Sequence, residues 1–166
     1  ENYKELISSH MSKFTFKSET DTEIIANLLE KNQIFEQNEI KTEIDYLKIL
    51  IKTCSQLIGT YALVCCNKQL PNTLFLAKNK NPLYVGVGKN ETYISSDISC
   101  FYGKCEHYYE LKDKEFCYCN KENVEFFNKN MEKINKKIKK VVDCNISINT
   151  ESHLSFMQKE IYEIPF

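Results

Sequence analysis

The sequence contains no arginine, so lysine supplies all 22 of its basic residues. Arginine carries the planar guanidinium group that binds phosphate, carboxylate or guanine through two hydrogen bonds, and this kind of recognition is therefore excluded. The formal net charge is -1, which gives the chain no general attraction to nucleic acid or to an anionic membrane. We therefore expect neither a nucleic acid nor a membrane as partner.

Long hydrophobic runs and targeting segments are also missing. No apolar run approaches the roughly 20 residues that a transmembrane helix requires. No secretory signal peptide is visible, and the first residue is Glu1 rather than methionine. We expect a cytoplasmic location, and we interpret the chain as a processed piece or a fragment of a longer protein.

The 8 cysteines do not follow a metal-binding pattern. None of them forms a C-x-x-C pair, and no histidine lies at zinc-finger spacing from them. Several lie inside apolar runs, where cysteine behaves as a small hydrophobic residue. We expect buried free thiols rather than disulfides or a metal site, and we expect no cofactor.

Length and composition are those of one globular domain. The chain has 166 residues, of which 42% are hydrophobic and 27% are charged. Hydrophobic periodicity predicts helices over residues 2–12, 21–32, 40–58 and 153–164, the third ending at Gly59. It predicts strands over residues 14–17, 61–66, 73–77, 83–87, 92–95, 106–111, 115–119, 124–127 and 141–148. This order of elements predicts an α+β layered domain.

Four further segments each carry a specific prediction. Residues 32–38 are polar and predict a loop, and residues 69–72 predict a turn. The run at residues 61–66 is almost continuously apolar, which favours a strand covered on both faces. Residues 128–140 are dense in lysine and asparagine, and we interpret them as a low-complexity insertion in a surface loop rather than a patch for an anionic partner.

The stretch from Ser18 to Glu23 lies where a predicted strand meets a predicted helix. Thr20 and Glu23 have the spacing of a capping box, in which each side chain accepts a hydrogen bond from a free backbone N–H group. Asp21 falls in the first helical turn, where the helix dipole favours negative charge. Asp21 could serve only this stabilising role, or it could hold the ammonium group of a ligand.

Several motifs occur in the order known from class II glutamine amidotransferases. They are Glu1-Asn2-Tyr3 to Leu6, Ser18 to Glu23 with Ile24-Ile25-Ala26, Gly59-Thr60-Tyr61-Ala62-Leu63, Leu74 to Pro82, Val85-Gly86-Val87-Gly88 and Ile94-Ser95-Ser96-Asp97-Ile98. The chain resembles this family over nearly its full length, except for residues 120–150. Phe156 to Pro165 is similar to the segment that leads from the glutaminase domain towards a sugar-phosphate isomerase domain. This ending makes the glutamine–fructose-6-phosphate aminotransferase branch the best match.

The resemblance implies an Ntn-hydrolase sandwich of four layers, in which two stacked antiparallel sheets lie between helices. In that family a cysteine at the mature N-terminus attacks the amide of glutamine, with its own α-amine as general base. An Asn-Gly pair stabilises the oxyanion. The released ammonia would pass to an isomerase domain that makes glucosamine 6-phosphate from fructose 6-phosphate, in a full-length protein expected to be a homo-oligomer.

The resemblance also places the nucleophile and the Asn-Gly pair before Glu1. We therefore expect a partial glutamine amidotransferase domain over residues 1–166, incomplete at its N-terminal side, with no catalytic residue. The isolated chain is expected to be inactive and marginally stable, because lost strands leave unpaired edges. By resemblance Asp21 is the residue that holds the α-ammonium group of glutamine, and it is the one substrate-binding residue predicted here. Residues 153–166 are expected to lead towards the isomerase domain.

Some positions depart from the family pattern. Lys78 stands where the family usually has arginine, Lys80-Asn81 replaces a Gly-Ser pair, and Ser155 stands where the family usually has histidine. His10, His107 and His153 fit no role that the resemblance implies.

Two other functions remain open. The chain could be a glutamine-binding module without catalysis, or the amidotransferase domain of a branch that serves purine, asparagine or glutamate synthesis.

Overall fold

A computed structural model of the chain describes residues 2–10, 14–36, 40–121 and 123–141, together with residues 157, 161 and 162. The helices are α1 (Tyr3–His10), α2 (Glu23–Glu36) and α3 (Glu43–Ser55), with a 3-10 helix at Ile98–Phe101. The strands are β1 (Tyr61–Asn67), β2 (Leu70–Asn79), β3 (Tyr84–Val87), β4 (Thr92–Ser95), β5 (His107–Glu110), β6 (Phe116–Cys119), β7 (Val124–Phe127), β8 (Lys133–Ile134) and β9 (Lys139–Lys140).

The strands form two antiparallel sheets, one in the order β1-β2-β6-β7-β8 and the other in the order β4-β3-β5-β9. Strand β2 shows how the layers stack, because successive side chains of a strand point to opposite faces. Phe75 and Ala77 belong to a buried cluster with α2 and α3, whereas Leu76 belongs to a cluster with β3 and β6. The first sheet therefore lies between the helices and the second sheet. The predicted α+β sandwich with stacked antiparallel sheets is confirmed.

Helix α3 has its own start signal. Thr42 and Asp45 form a capping box, in which Asp45 N–H donates to the Thr42 hydroxyl and Thr42 N–H donates to the Asp45 carboxylate at 3.0 Å. The helix begins after this box and ends at Ser55, so the prediction that it extends over residues 40–58 is too long. Gly59, with φ 124°, lies in the connection to β1 and not at the helix terminus.

Residues 14–17 do not form the predicted strand. They have no regular secondary structure, and Phe14 and Phe16 pack against the buried cluster of Leu6, Ile24 and Leu28. The alternation of apolar residues thus reflects two aromatic side chains that pack on the helical layer. A strand also needs a neighbouring strand, and within the described part of the chain none pairs with this segment.

Helix α2 continues to Glu36, so the loop predicted over residues 32–38 is wrong for its described part. Asn32 is 5% exposed, and its amide donates to the Thr53 hydroxyl at 2.9 Å. This hydrogen bond to α3 satisfies the polar side chain of Asn32 inside the helix. A tertiary contact of this kind can override the weak local preference of a polar residue for a loop.

Strand β1 is not covered on both faces as predicted. Tyr61, Leu63 and Cys65 pack against the helical layer, whereas Val64 is 51% exposed and Cys66 is exposed on the other face. Strand β1 is the edge of its sheet in the part of the chain that the structure describes. A continuous apolar run therefore does not show that both faces of a strand are buried.

The connection from β1 to β2 is shorter than predicted. Strand β2 begins at Leu70, so that Pro71 and Asn72 lie in the strand rather than in a turn over residues 69–72. The register of the β1–β2 pair shifts between Cys66 and Asn67, next to this proline. Proline lacks an N–H group to donate, and an irregularity of the ladder accommodates it.

Residues 128–140 do not form a simple surface loop. They contain β8, which pairs with β7 in the first sheet, and β9, which pairs with β5 in the second. The Lys136 side chain is 9% exposed, pairs with the Glu115 carboxylate and donates to the Glu110 carbonyl oxygen. The lysine-rich composition had predicted that these side chains are exposed to solvent. The Lys136 side chain is instead almost buried and connects the two sheets.

Two further predictions extend beyond the described residues. Of the strand predicted over residues 141–148, only Val141 is described, and it has no regular secondary structure; residues 142–148 lie outside the described residues. Within the helix predicted over residues 153–164, positions 157, 161 and 162 are helical. Ser155, His153 and Cys144 lie outside the described residues. Among the helices of the described ranges, none is long and apolar enough to cross a membrane.

Candidate functional site

The start of α2 is held by a carboxylate, although not in the predicted pattern. Glu23 accepts hydrogen bonds from the N–H groups of Lys17 and Ser18, both at 2.8 Å, and from the Ser18 hydroxyl at 2.5 Å. The Ser18 hydroxyl first, and then the Lys17 N–H, lower the pKa of Glu23 below its usual value of 4.5. The capping box predicted between Thr20 and Glu23 is therefore wrong. The carboxylate binds the incoming chain instead of the cap residue.

Thr20 makes a local contact only two residues along the chain. Its hydroxyl accepts a hydrogen bond from Thr22 N–H at 3.2 Å, which stabilises the turn just before α2. Thr20 and Glu23 together fix the backbone on both sides of Asp21. The exposed Asp21 carboxylate accepts a hydrogen bond from the Thr22 hydroxyl at 3.5 Å, a long distance for such a bond.

Asp21 lies at the edge of a cavity of about 320 Å³. The walls come from the first turn of α1, the start of α2, the connection that leads into β1, and the first half of β1. Tyr61 to Leu63 contribute from the strand, and Asn81 contributes from the turn after β2. Among the described residues that line it, Asp21 is the only one with a formal charge at neutral pH. The cavity therefore offers one negative charge to a ligand that carries one positive charge.

A second cavity of about 390 Å³ continues along the same strand. It shares Thr22, Ile25 and Leu63 with the first and reaches Asn67 at the other end of β1. Helix α2 forms one side of both cavities. The open edge of β1 and the Asp21 carboxylate thus border one continuous groove.

Two cysteines that are buried or half-buried, Cys54 and Cys65, are poor candidates for a nucleophile. The described cysteines are free, but Cys66 and Cys100 are exposed, so the expectation of buried thiols is wrong for those two. Burial raises the pKa of Cys65 to about 11 and that of Cys54 to about 12. A thiol with so high a pKa is protonated at neutral pH and is a weak nucleophile. No group of three or more metal-ligating side chains occurs within the described ranges.

Sequence reasoning found Asp21 but missed the residues that enclose it. Asn2, Tyr61 and Asn81 line the same cavity although they are far from Asp21 in sequence. The family motifs contain Asn2 and Tyr61, but no local pattern assigned them to the site, because their position depends on how α1 and β1 pack beside α2. Asn81 stood out only as a departure from the family's Gly-Ser pair.

The presence of Lys80-Asn81 in place of the family's Gly-Ser pair has a structural consequence. Lys80 adopts a left-handed conformation with φ 67°. Glycine occupies such positions without steric cost, whereas a lysine is strained there. Asp113 stabilises the turn, because its carboxylate accepts from Lys80 N–H at 2.8 Å and pairs with Lys78 at 2.9 Å. The turn that presents Asn81 to the cavity is therefore fixed by a neighbouring carboxylate.

The family model of the glutamine amidotransferase domain matches residues 1–103, which is more than half of the chain. The chain belongs to the glutamine amidotransferase domain family. The matched range contains Asp21, all the helices that line its cavity, and β1. The resemblance given by the sequence motifs is confirmed.

Curated relatives of this glutamine amidotransferase domain are named glutamine–fructose-6-phosphate aminotransferase (isomerizing). The protein from Clostridium acetobutylicum is 35% identical over 99% of this chain and 26% of its own length. The protein from Methanococcus maripaludis is 38% identical over 99% of this chain and 28% of its own length. The chain thus spans about a quarter of the length of these relatives.

A solved structure supports the fold of this glutamine amidotransferase domain. Glutamine phosphoribosylpyrophosphate amidotransferase from B. subtilis, complexed with ADP and GMP, superposes with a TM-score of 0.58 at 20% identity. The match covers 80% of this chain and 27% of that protein. At this level of identity the likeness concerns the arrangement of sheets and helices alone.

Proposed function

We propose that this glutamine amidotransferase domain binds glutamine, with Asp21 holding the α-ammonium group, within a longer enzyme that makes glucosamine 6-phosphate from fructose 6-phosphate. The observation that carries the proposal is that Asp21 is the only charged side chain among the described residues that line the first cavity beside β1. The names of the curated relatives support the wider reaction. Fructose 6-phosphate would bind to an isomerase domain outside this chain, and the full-length protein would be a homo-oligomer.

The competing role for Asp21 is to stabilise the start of α2. Glu23 and Thr20 already accept hydrogen bonds from the backbone N–H groups of this turn. Asp21 itself accepts from the hydroxyl of its neighbour Thr22. Its carboxylate oxygens thus retain capacity for a charged donor, and a charge-assisted hydrogen bond to an ammonium group is stronger than a neutral one.

We expect the hydrolysis to use a nucleophile from outside this chain. The burial of Cys54 and Cys65 keeps their thiols protonated, which supports the expectation that no catalytic residue lies here. In the proposed reaction an N-terminal cysteine elsewhere in the full-length protein would attack the glutamine amide and release ammonia. The role of this chain is to hold the amino-acid end of glutamine while the amide reacts.

The test compares two variants of the full-length protein. Asp21→Asn keeps the size of the side chain and removes its charge, and we expect about a tenfold rise in the KM for glutamine with kcat little changed. Glu19→Gln removes the same charge two residues away and should leave KM unchanged. Equal KM values for Asp21→Asn and the unmodified protein would remove Asp21 from the site.

Product analysis separates the wider alternatives. Formation of glucosamine 6-phosphate from glutamine and fructose 6-phosphate is the expected result. Glutamine binding without release of ammonia would instead indicate a binding module. Ammonia release without a sugar-phosphate product would indicate another amidotransferase branch.

A further inference from the structure

Asn2 joins two segments that are more than 50 residues apart in sequence. Its side-chain amide donates to the Gln56 carbonyl oxygen at 2.9 Å, and its side-chain oxygen accepts from Ile58 N–H at 3.0 Å. The Asn2 carbonyl oxygen also accepts the hydrogen bond of Leu6 N–H at 3.1 Å, which begins α1. One partly buried residue thus starts α1 and attaches it to the connection between α3 and β1.

A polar network extends this attachment to α2. The Gln56 side chain donates to the Asn32 side-chain oxygen at 3.4 Å, and the Asn32 amide donates to the Thr53 hydroxyl at 2.9 Å. Asn32 is in α2, and Asp21 precedes the same helix. The network therefore links the first turn of α1, the end of α3 and the helix whose start carries Asp21.

Two of these segments, α1 and α2, line the cavity at Asp21, together with the connection that follows α3, the first half of β1 and Asn81. Asn2, Tyr3 and Leu6 line it from α1, and Leu57, Ile58 and Thr60 line it from the connection. Helix α1 is only 8 residues long, and an isolated helix of that length is marginal in water. Its position against the cavity depends on the burial of Leu6 and on the two hydrogen bonds of Asn2.

We infer that Asn2 is a positioning residue for glutamine binding, an inference that rests on the function proposed above. It fixes the α1 wall of the cavity that Asp21 also lines. The Asn2 amide supplies the donor for Gln56 and the acceptor for Ile58 from two separate atoms, whereas an ionised carboxylate supplies acceptors only. An aspartate would place a carboxylate oxygen against the Gln56 carbonyl, and an alanine would remove both hydrogen bonds.

The first experiment measures hydrogen exchange of the backbone amides of α1 in the full-length protein. Asn2→Ala and Asn2→Asp should both accelerate exchange at Leu6 and its helical neighbours about fivefold to tenfold, because the hydrogen bonds that hold the first turn are lost. The matched control is Asn128→Ala. The Asn128 side chain also accepts from backbone N–H groups, those of Asn130 and Glu132, but in the distant turn between β7 and β8.

The second experiment measures glutamine hydrolysis by the full-length protein. Both Asn2 variants should raise the KM for glutamine about fivefold to tenfold with kcat nearly unchanged, whereas Asn128→Ala should move neither. A merely structural role would reduce the active fraction, and hence kcat, without a change in KM.

The outcomes separate this inference from the proposed function. If the unmodified protein hydrolyses glutamine and the Asn2 variants keep its KM, Asn2 does not position the site although the function stands. Unchanged exchange of α1 in both variants would overturn the inference without any use of glutamine. If the unmodified protein does not act on glutamine, the proposed function fails, and this inference fails with it.

Discussion

The two edge strands of the first sheet, β8 at one end of the strand order and β1 at the other, differ in how completely they are covered. At the β8 end, the segment of residues 128–140 crosses to the second sheet, and Lys136 pairs with Glu115 while both side chains are almost buried. At the β1 end, Val64 and Cys66 are exposed and a groove separates the strand from α2. Asp21 lies at this open end.

The difference supports the proposed location of the ligand site. At the closed end the charged groups are satisfied by one another, since Lys136, Lys139 and Lys133 each pair with a glutamate. At the open end the Asp21 carboxylate accepts only a long hydrogen bond from its neighbour, next to uncovered apolar surface. Unfilled hydrogen-bonding capacity beside a groove favours binding, whereas a completed network favours stability.

The largest expected effect on the free energy of unfolding comes from a comparison of two residues that are directly paired across β1 and β2. Leu76 is fully buried between the sheets, and its cross-strand partner Val64 is 51% exposed. Leu76→Ala should lower the free energy of unfolding by about 4 kcal/mol, because it removes buried methyl groups and leaves a cavity. Val64→Ala should cost less than about 1 kcal/mol. Urea denaturation of both variants measures the contrast.

Similar losses for Leu76→Ala and Val64→Ala would show that the β1 end is covered after all, for instance by a second copy of the chain. Measurement at two protein concentrations would reveal such an association, because the stability of a dimer depends on concentration.

A somewhat smaller loss of unfolding free energy is expected when the ion pair between Lys136 and Glu115 at the β8 end is broken. Lys136→Ala leaves the Glu115 carboxylate, which is 12% exposed, without its partner and should lower the free energy of unfolding by about 3 kcal/mol. Lys139→Ala is the matched control, because its pair with Glu110 is half-exposed and should contribute less than about 1 kcal/mol. Thermal and urea denaturation give both values.

The double variant Lys136→Met/Glu115→Leu sharpens this test, since an apolar pair of similar size can replace a buried ion pair at little cost. If it is as unstable as Lys136→Ala, the loss comes from the shape of the segment and not from the unpaired charge.

The contrast between the two ends also shows what the sequence could predict. The predicted strands at 83–87, 92–95 and 124–127 are local patterns, and the structure contains all of them. The predictions for residues 14–17 and 128–140 fail because those segments depend on distant neighbours. Composition alone could not show that Lys136 would meet Glu115.

The predictions for the candidate site follow the same distinction between local patterns and distant contacts. Asp21 was identified because the family motif and the turn around it are contiguous in sequence. The capping box was assigned to the wrong partner, since spacing shows that Glu23 can reach a backbone N–H but not which one. Asn2 could not be predicted, because its partners Gln56 and Ile58 are brought to it only by the packing of α1.

The smallest expected effect concerns pH at the open end, where Glu23 fixes the turn before Asp21. Its folded-state pKa is lowered by the Ser18 hydroxyl and the Lys17 N–H, so its contribution to stability is present above the usual value of 4.5 and is lost as pH falls through the lowered pKa. Replacement by Gln removes this ionisation. The difference in unfolding free energy between the unmodified chain and Glu23→Gln should therefore be constant above about pH 5.5 and narrow as pH falls below 4.5.

The Ser18→Ala variant isolates the cause, because it removes the hydroxyl that contributes most to the shift. An NMR titration of the Glu23 carboxyl carbon should then give a pKa closer to its usual value than in the unmodified chain. A stability difference for Glu23→Gln that stays the same from pH 6 to pH 3 would mean that the ionised carboxylate does not hold this turn. Asp21 would then lose the fixed backbone on which its role in glutamine binding depends.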